Sequence, residues 1–279
     1  NTQINCMNIA QWNARGFRTH IQEFYHFMKQ KSIQIAFISE TNYDLMDIAP
    51  ANPDYILYRL DRTTSTVRSG GVAIIVKRNI THELLPVPST KIIESFGIRV
   101  KLRNGSYIHF YTVYLPGGAS HNDILQYYKN DIQKLTNTRQ SFFLIGDFNS
   151  KHQLWSCRSS NLAGRILYNL HQNSNFLIHH PGAHTHHPTD SNRQTSLLDF
   201  IITNGLHQIS DSFNFPSSSD HDIITHVIET NEETQLRDHR QIPCFKLANW
   251  QKYQTIVNQK LVHLHTCLLY TSPSPRDRG

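Results

Sequence analysis

The sequence predicts a layered α/β fold with sizeable mixed β-sheets. Hydrophobic residues make up 38% of the 279 positions, which is enough for a globular chain with a substantial core. Between residues 4 and 229, short apolar runs alternate with amphipathic segments. The strand-like runs outnumber the helix-like segments and the alternation is not strict, which is typical of a layered architecture with mixed sheets.

Each predicted strand is a short run of apolar, aromatic or β-branched residues. In chain order, the runs occupy residues 4–12, 33–39, 71–76, 107–115, 142–145, 197–203 and 223–228. The run 71–76 is rich in β-branched residues, which predicts a central strand. A proline and two glycines at residues 116–118 end the run 107–115.

Three segments between these strands carry apolar residues at the spacing of an amphipathic helix. The first contains Ile21, Phe24, Phe27 and Met28. The second occupies residues 121–135, where Ser120 or Asn122 is the candidate N-cap. The third occupies residues 162–170.

Composition divides the chain into three parts. Residues 1–229 carry the predicted domain, and residues 230–265 are predicted to form a polar linker and a connector helix. Residues 266–279 resemble the translation of a sequencing-library adapter, so we exclude them from fold reasoning. The alternative for this tail is a natural Ser/Pro-rich end. Because the chain begins with Asn1 rather than Met, we expect it to be part of a longer protein.

Composition also excludes several classes of protein. The four cysteines are scattered and form no C-x-x-C pair, which argues against a disulfide scaffold or a cysteine-based zinc site. The longest apolar runs are far short of the ~18 residues of a membrane span, and the N-terminus lacks a secretory signal pattern, so we expect neither membrane insertion nor secretion. Lys+Arg exceed Asp+Glu by 27 to 21, and the net charge of +6 favours a polyanionic partner.

Polar residues collect at the ends of the predicted strands. They are Asn13, Glu40, Tyr114, Asp147, Asn149, Asp220 and His221. In layered α/β folds, ligands bind at strand ends, where loops present side chains that the sheet positions. A single Asn or Asp there is often only a turn residue. The whole set, which mixes carboxylates, carboxamides, a tyrosine and a histidine, predicts one assembled site.

Asp199 lies in an otherwise apolar run, residues 197–202. A buried carboxylate costs several kcal/mol unless it is paired, so we expect a partner. His221 is the predicted partner, because a carboxylate on one imidazole nitrogen fixes the tautomer and raises the basicity of the other nitrogen. The alternative for His221 is an ordinary histidine in a turn.

Six short motifs follow one another along the chain. They are Gln11-Trp12-Asn13, Ser39-Glu40, Val113-Tyr114-Leu115-Pro116, Gly146-Asp147-Phe148-Asn149, Leu198-Asp199-Phe200 and Ser219-Asp220-His221. This ordered set resembles the endonuclease/exonuclease/phosphatase superfamily, which includes pancreatic-type DNases and apurinic/apyrimidinic endonucleases. The resemblance implies a four-layer α/β sandwich, in which two mixed β-sheets pack face to face with helices outside.

A finer resemblance is to the endonuclease domain of jockey-like non-LTR retrotransposons. It rests on residues 146–152, Trp155, Asn161, Gly164-Arg165 and Pro188-Thr189-Asp190. It implies an enzyme that nicks double-stranded target DNA to prime reverse transcription, synthesised in the cytoplasm and acting in the nucleus. Its partners would be the element RNA and the reverse transcriptase domain of the full-length protein, although no polymerase motif follows in this chain.

The resemblance also implies a hard cation, Mg²⁺ or Mn²⁺, because the ligands on offer are oxygen atoms. Glu40 is the implied metal ligand with Asn13 beside it, and Asp220 is a second metal contact. Asp147 would orient or deprotonate the attacking water. Asn149 would hold that water or the phosphate.

The implied phosphate contacts involve the remaining site residues. Tyr114 would hydrogen-bond the phosphate, and His221, oriented by Asp199, would donate to a phosphate oxygen or act as the base. The sequence leaves open whether Asp147 or His221 is the base, and whether one or two metal ions bind.

Candidate DNA contacts are Arg15, Lys151, Arg158, Arg165, Thr185 and Arg193. Each basic residue among them is equally consistent with an ordinary surface charge. Five histidines within residues 179–187 suggest zinc, but they match no closed zinc pattern, and we favour a loop beside the site. Two other functions compete: a phosphoesterase for a small or lipid phosphate, and an inactive nucleic-acid-binding remnant. The jockey-like residues argue against the first, and the complete motif set argues against the second.

Overall fold

Twelve strands among the described residues form two mixed β-sheets of six strands each. The structure is a computed structural model that describes residues 5–62, 69–190, 192–230, 232–236 and 249–261. The chain divides into two units, Asn1–Arg237 and Asp238–Gly279, and both sheets belong to the first. The predicted tail and residues 231, 237–248 and 262–265 of the predicted linker and connector helix lie outside the described residues, and the predicted domain boundary at residue 229 stays a prediction.

Neighbouring strands within each sheet are mostly antiparallel. In spatial order, the first sheet contains β11 (Gln208–Phe215), β12 (Ile223–Thr230), β1 (Asn5–Asn13), β2 (Ile35–Ser39), β4 (Val72–Lys77) and β3 (Tyr55–Leu60). The second contains β5 (His82–Leu84), β6 (Glu94–Lys101), β7 (Tyr107–Tyr114), β8 (Ser141–Asp147), β10 (Asp199–Thr203) and β9 (Leu177–His179). The parallel pairs are β1 with β2 and β7 with β8, so both sheets are mixed, as predicted.

Three apolar clusters hold four layers together. The helices of the first unit are α1 (Phe17–Gln30), α2 (His121–Asp123), α3 (Lys129–Thr136) and α4 (Leu162–Gln172). Phe37 and Phe110 belong to the cluster between the two sheets. Phe24 of α1 packs on the outer face of the first sheet. Ile132 of α3 and Leu167 of α4 pack on the outer face of the second sheet. The four-layer sandwich is therefore confirmed.

The helix predicted over residues 121–135 contains a π-helical turn. Its N-cap is Ser120, whose hydroxyl accepts a hydrogen bond of 3.1 Å from the backbone N–H of Asp123. The π turn Ile124–Tyr128 then joins α2 to α3. The second unit contributes α5 (Trp250–Leu261). Among the described helices, none is both long and apolar enough to cross a membrane.

Strand register brings the polar strand ends together at one edge of the sandwich. In the parallel pair β1–β2, Asn13 lies opposite Ser39, the residue before Glu40. In the second sheet, Tyr114 and Asp199 lie on either side of Asp147. In each sheet, the residues that the sequence singled out therefore lie at the ends of neighbouring strands.

Candidate active site

Asn13 connects the two sheets at this edge. Its Nδ2 atom donates to Glu40 Oε1 and to Asp147 Oδ2, each at 2.9 Å. Asn13 is 1% exposed, and Glu40 follows the adjacent strand of the same sheet, whereas Asp147 ends a strand of the other sheet. A buried amide thus fixes the distance between two carboxylates that come from different sheets.

The carboxylate of Glu40 is held by one of its two oxygens. Oε1 accepts hydrogen bonds from Asn13 and from Tyr114 Oη, the latter at 2.9 Å. Among the described residues, no hydrogen bond reaches Oε2. Burial, reinforced by the charges of Glu40 and Asp147, raises the pKa of Tyr114, so that its hydroxyl remains a donor. The oxygen Oε2 of Glu40 is therefore available as a ligand, and a carboxylate oxygen suits a hard divalent cation.

Asp147 is a buried carboxylate with several donors. Its Oδ1 accepts from the backbone N–H of Asn149 at 2.8 Å, and its Oδ2 accepts from Asn13 and from Asn149 Nδ2 at 3.1 Å. Burial and the neighbouring charge of Asp199 raise the pKa of Asp147 to about 7, although His221 and the hydrogen bonds oppose this shift. A carboxylate with this pKa exchanges a proton near neutral pH.

His221 and Asp199 are in direct contact, although 22 residues separate them in sequence. His221 Nδ1 donates to Asp199 Oδ2 at 2.7 Å, which leaves Nε2 directed toward Asp147 Oδ2 at 4.0 Å. Burial lowers the pKa of His221, but the carboxylates of Asp199, Asp147 and Asp220 outweigh it and raise the pKa to about 9. The imidazole is therefore positively charged at neutral pH.

Thr185 lies in the interior, so its predicted contact with DNA is wrong. The side chain is fully buried. Its hydroxyl donates to Asp199 Oδ2 at 2.7 Å and accepts from the backbone N–H of Leu198 at 3.1 Å. Thr185 consequently positions the carboxylate that orients His221. The sequence placed this threonine in a histidine-rich loop, and its spacing gave no sign of the inward orientation.

Two motif residues to which the sequence assigned no role hold the loop that carries His221. Ser219 Oγ donates to the backbone carbonyl of Asn13 at 2.8 Å. Trp12 Nε1 donates to the carbonyl of His221 at 3.2 Å. The end of β1 is thereby hydrogen-bonded to the loop that precedes β12.

A cleft of about 510 Å³ opens above these residues. Of the predicted site residues, its walls contain Arg15, Glu40, Tyr114, Asp147, Asn149, Lys151, Arg193, Asp220 and His221. His186, which the sequence assigned only to the histidine-rich loop, also lines it, and its ring centroid is 4.7 Å from that of His221. Asn13 and Asp199 are buried beneath.

An adjoining cleft of about 420 Å³ shares Lys151, His186 and Arg193 with the first. Arg158 lines this second cleft, so three basic residues surround it. Arg165 is an exposed residue of α4 whose guanidinium donates to the Ser160 carbonyl at 3.0 Å. Four of the five basic candidates therefore line one or both clefts, and Arg165 lines neither.

Other histidines of residues 179–187 make separate contacts. His179, His184 and His187 are hydrogen-bonded to Ser212, Thr195 and Asp222, respectively. Within the described chain, two groups of three potential ligand side chains occur close together, and both include His221: one with Asp147 and Asp199, the other with His186 and Asp220. In the first group His221 Nδ1 already hydrogen-bonds Asp199 Oδ2 at 2.7 Å, whereas Asp147 Oδ2 lies 4.0 Å from His221 Nε2.

Three residues of the cleft have backbone conformations that side chains rarely adopt. Arg15, Glu40 and Asn149 have φ values of 45°, 51° and 43°. Non-glycine residues with positive φ are uncommon, and strain of this kind concentrates at functional sites. The turns after β1, β2 and β8 each aim a polar side chain into the cleft through such a residue.

Comparison with known proteins agrees with this geometry. The sequence profile described as Endonuclease/Exonuclease/phosphatase family matches residues 10–221. A probable RNA-directed DNA polymerase from transposon X-element of Drosophila melanogaster is 26% identical over 206 residues, which cover 72% of this chain and 21% of that protein. The RNA-directed DNA polymerase from mobile element jockey of the same species is 26% identical over 199 residues, which cover 71% of this chain and 21% of that protein. The chain thus spans about a fifth of the length of these relatives, and the resemblance to jockey-like elements is confirmed.

Solved structures share the fold. The endonuclease domain of TRAS1, a telomere-specific non-LTR retrotransposon, superposes with a TM-score of 0.63 at 16% identity, covering 82% of this chain and 100% of that one. A 3′ phosphatase from Neisseria, bound to a product DNA hairpin, superposes with a TM-score of 0.58 at 15% identity. The match covers 79% of this chain and 98% of that one. Both nuclease and phosphatase chains therefore have this architecture.

Proposed function

Because this chain belongs to the Endonuclease/Exonuclease/phosphatase family, we propose that it is a metal-dependent endonuclease that nicks DNA by hydrolysing a phosphodiester bond. The observation that carries the proposal is the pair formed by Asp147 and His221. Asp147 Oδ2 and His221 Nε2 are 4.0 Å apart at the floor of an open cleft, within reach of the same small group. Their pKa values of about 7 and about 9 give one proton acceptor and one charged donor at neutral pH.

In this mechanism Asp147 is the base. Its pKa of about 7 allows it to take the proton of the attacking water, while His221 already holds its own proton and cannot accept another. His221 donates its Nε2–H to a non-bridging phosphate oxygen and stabilises the charge that develops there. Asn149, whose amide hydrogen-bonds Asp147, orients the base toward the water.

Glu40 is the residue that would hold the divalent cation, with Asn13 fixing its carboxylate. When bound, Mg²⁺ or Mn²⁺ polarises the phosphate and stabilises the leaving oxygen. Tyr114 keeps its hydroxyl proton, which it donates to Glu40 in this structure, and it lines the cleft. A phosphate bound beside Glu40 would receive a hydrogen bond from Tyr114 in place of Glu40.

The basic residues of the two clefts support DNA as the substrate. Lys151, Arg158 and Arg193 surround the cleft next to the catalytic one, and Arg15 lines the catalytic cleft itself. Phosphate contacts of this kind position the duplex without reading its sequence. A single small phosphate needs no row of basic residues beyond the reaction centre.

The biological role we propose is to nick target DNA so that a mobile element can prime reverse transcription there. The support is the similarity to RNA-directed DNA polymerases of mobile elements and to a retrotransposon endonuclease fold. The full-length protein would supply the reverse transcriptase domain and bind the element RNA, and it would act in the nucleus after synthesis in the cytoplasm.

A supercoiled-plasmid assay tests the proposal. The purified chain should convert supercoiled plasmid to open circles with Mg²⁺ or Mn²⁺, and EDTA should abolish this conversion. The His221→Ala variant, prepared identically, is the control for a contaminating nuclease. An inositol phosphate and a 3′-phosphorylated oligonucleotide tested in parallel examine the phosphatase alternative. Release of phosphate from either compound without plasmid nicking would refute the proposal, and inactivity on all substrates would favour a remnant.

A further inference from the structure

Asp220 lies in the wall of the catalytic cleft, where the sequence predicted a second metal contact. Its Oδ2 instead accepts a hydrogen bond from Arg15 Nη1 at 2.8 Å, and His186 Nε2 lies 3.7 Å from the same oxygen. Its other oxygen, Oδ1, lies 3.3 Å from Ser219 Oγ, whose single proton is donated to the Asn13 carbonyl at 2.8 Å. The oxygen Oδ2 of Asp220 is therefore engaged by a cationic side chain of the protein itself.

The turn between β1 and α1 places Arg15 in this position. Arg15 has a φ of 45°, and the Gly16 that follows has a φ of 123°. The backbone N–H of Arg15 donates to Asn13 Oδ1 at 3.2 Å, and that of Gly16 donates to the Glu40 carbonyl at 2.8 Å. The turn that carries the guanidinium is therefore hydrogen-bonded to Asn13 and Glu40, the residues of the proposed cation site.

The side chains of Arg15 and Asp220 differ in solvent exposure. The side chain of Asp220 is 14% exposed, whereas that of Arg15 is 57% exposed and lines the cleft. Among the described residues, the guanidinium hydrogen-bonds only Asp220, so most of its N–H groups remain available to a ligand. A divalent cation at Asp220 would have to displace this guanidinium or bind against its positive charge.

We propose that the cleft holds a single divalent cation, at Glu40, and that the Arg15 guanidinium on Asp220 takes the place of a second. That this cation takes part in phosphodiester hydrolysis rests on the function proposed above. Arg15 then presents a fixed positive charge to the phosphate without any metal, and Asp220 holds the guanidinium in place. Lysine would supply the charge but not the planar set of donors.

Counting bound Mn²⁺ tests this inference without any activity measurement. Calorimetric titration and electron paramagnetic resonance on the whole chain should give one Mn²⁺ per wild-type molecule, and far less than one for Glu40→Gln at the concentration that saturates the wild type. Arg15→Ala frees the carboxylate and should gain a second, weaker ion, whereas Arg15→Lys keeps the charge and should not. The double variant Arg15→Ala with Asp220→Asn should lose the additional ion again.

Circular dichroism of each variant checks that a change in binding is not a loss of folding, and the exposed Arg15 side chain makes such a loss unexpected. Two ions or none in the wild type would overturn the inference, as would a single ion in Arg15→Ala. These results are distinct from failure of the proposed function. A wild-type chain that nicks DNA with two bound ions contradicts only this inference, and one that binds one ion without nicking contradicts only the function.

Discussion

Replacing Asp199 by Asn removes a charge while keeping the shape of the side chain. Asp199 Oδ2 accepts from His221 Nδ1 and from Thr185 Oγ1, each at 2.7 Å. An asparagine amide oxygen can accept both hydrogen bonds, so the fold should persist. The imidazolium of His221 would nevertheless lose its closest carboxylate.

The structure indicates the size of the effect. The pKa of His221 is raised from 6.5 to about 9 even though burial lowers it, and Asp199 is the strongest of the three carboxylates responsible. Without Asp199 the pKa of His221 should therefore fall. Hydrogen bonds to charged groups are worth about 1.5–3 kcal/mol, and about 1.4 kcal/mol is tenfold in rate, so we expect nicking to slow by up to ~10²-fold. The same exchange in a serine protease costs ~10⁴-fold, but here the cation and other phosphate contacts share the charge stabilisation.

The assay combines an NMR titration of His221 with nicking rates for wild type and Asp199→Asn. The variant should titrate at lower pH and nick more slowly. Thr185→Val keeps the carboxylate charge and removes one hydrogen bond to it, so it should slow nicking less, and Thr185→Ser should be close to wild type. An unchanged His221 titration in Asp199→Asn, or a nicking rate near that of wild type, would refute the reasoning.

Three more predictions concern pH, the cation and a glycine. Because Asp147 must be ionised and His221 protonated, nicking should rise as pH increases through about 7 and fall as it increases through about 9; a flat pH–rate profile would contradict the assigned roles. Glu40→Gln should raise the Mg²⁺ concentration needed for half-maximal nicking by ~10-fold or more, and an unchanged requirement would place the cation elsewhere. In Gly164→Ala, the added Cβ would lie 1.8 Å from a backbone carbonyl oxygen, so we expect a loss of ~1–3 kcal/mol in urea unfolding. Gly118→Ala, whose Cβ meets no atom within 4 Å, is the control, and equal stability of the two variants would contradict the packing argument.

The strands that the sequence predicted are those with continuous apolar runs. The run 71–76 corresponds to Val72–Lys77, of which all but the last residue is buried. The strand Gln208–Phe215 was not predicted, because polar residues occupy much of it and its side chains are half-buried or exposed. Leu177–His179 has only three residues, too few for a pattern. Hydrophobic patterning therefore detected the strands with continuous apolar runs and missed the edge strands. It also missed the inner strand Glu94–Lys101, in which polar residues and Gly97 interrupt the apolar ones.

The candidate site could be predicted as a set of residues but not as a set of contacts. The ordered motifs identified the residues that meet around Asp147, and the buried charge of Asp199 pointed to His221. The pairing of Arg15 with Asp220 joins residues 205 positions apart, and nothing in either motif indicated it. The inward orientation of Thr185 likewise depends on the register of strands that come from distant parts of the chain.

The most direct test of the central claim is whether the nick is made by this site and leaves an end that can prime synthesis. Supercoiled plasmid is incubated with Mg²⁺ and either wild type or His221→Ala, and a DNA polymerase with labelled nucleotides is then added. We predict open circles that incorporate label without further treatment for wild type, because priming requires a 3′-hydroxyl, and intact supercoils for the variant. Equal nicking by both proteins, or wild-type nicks that cannot be extended, would contradict the account.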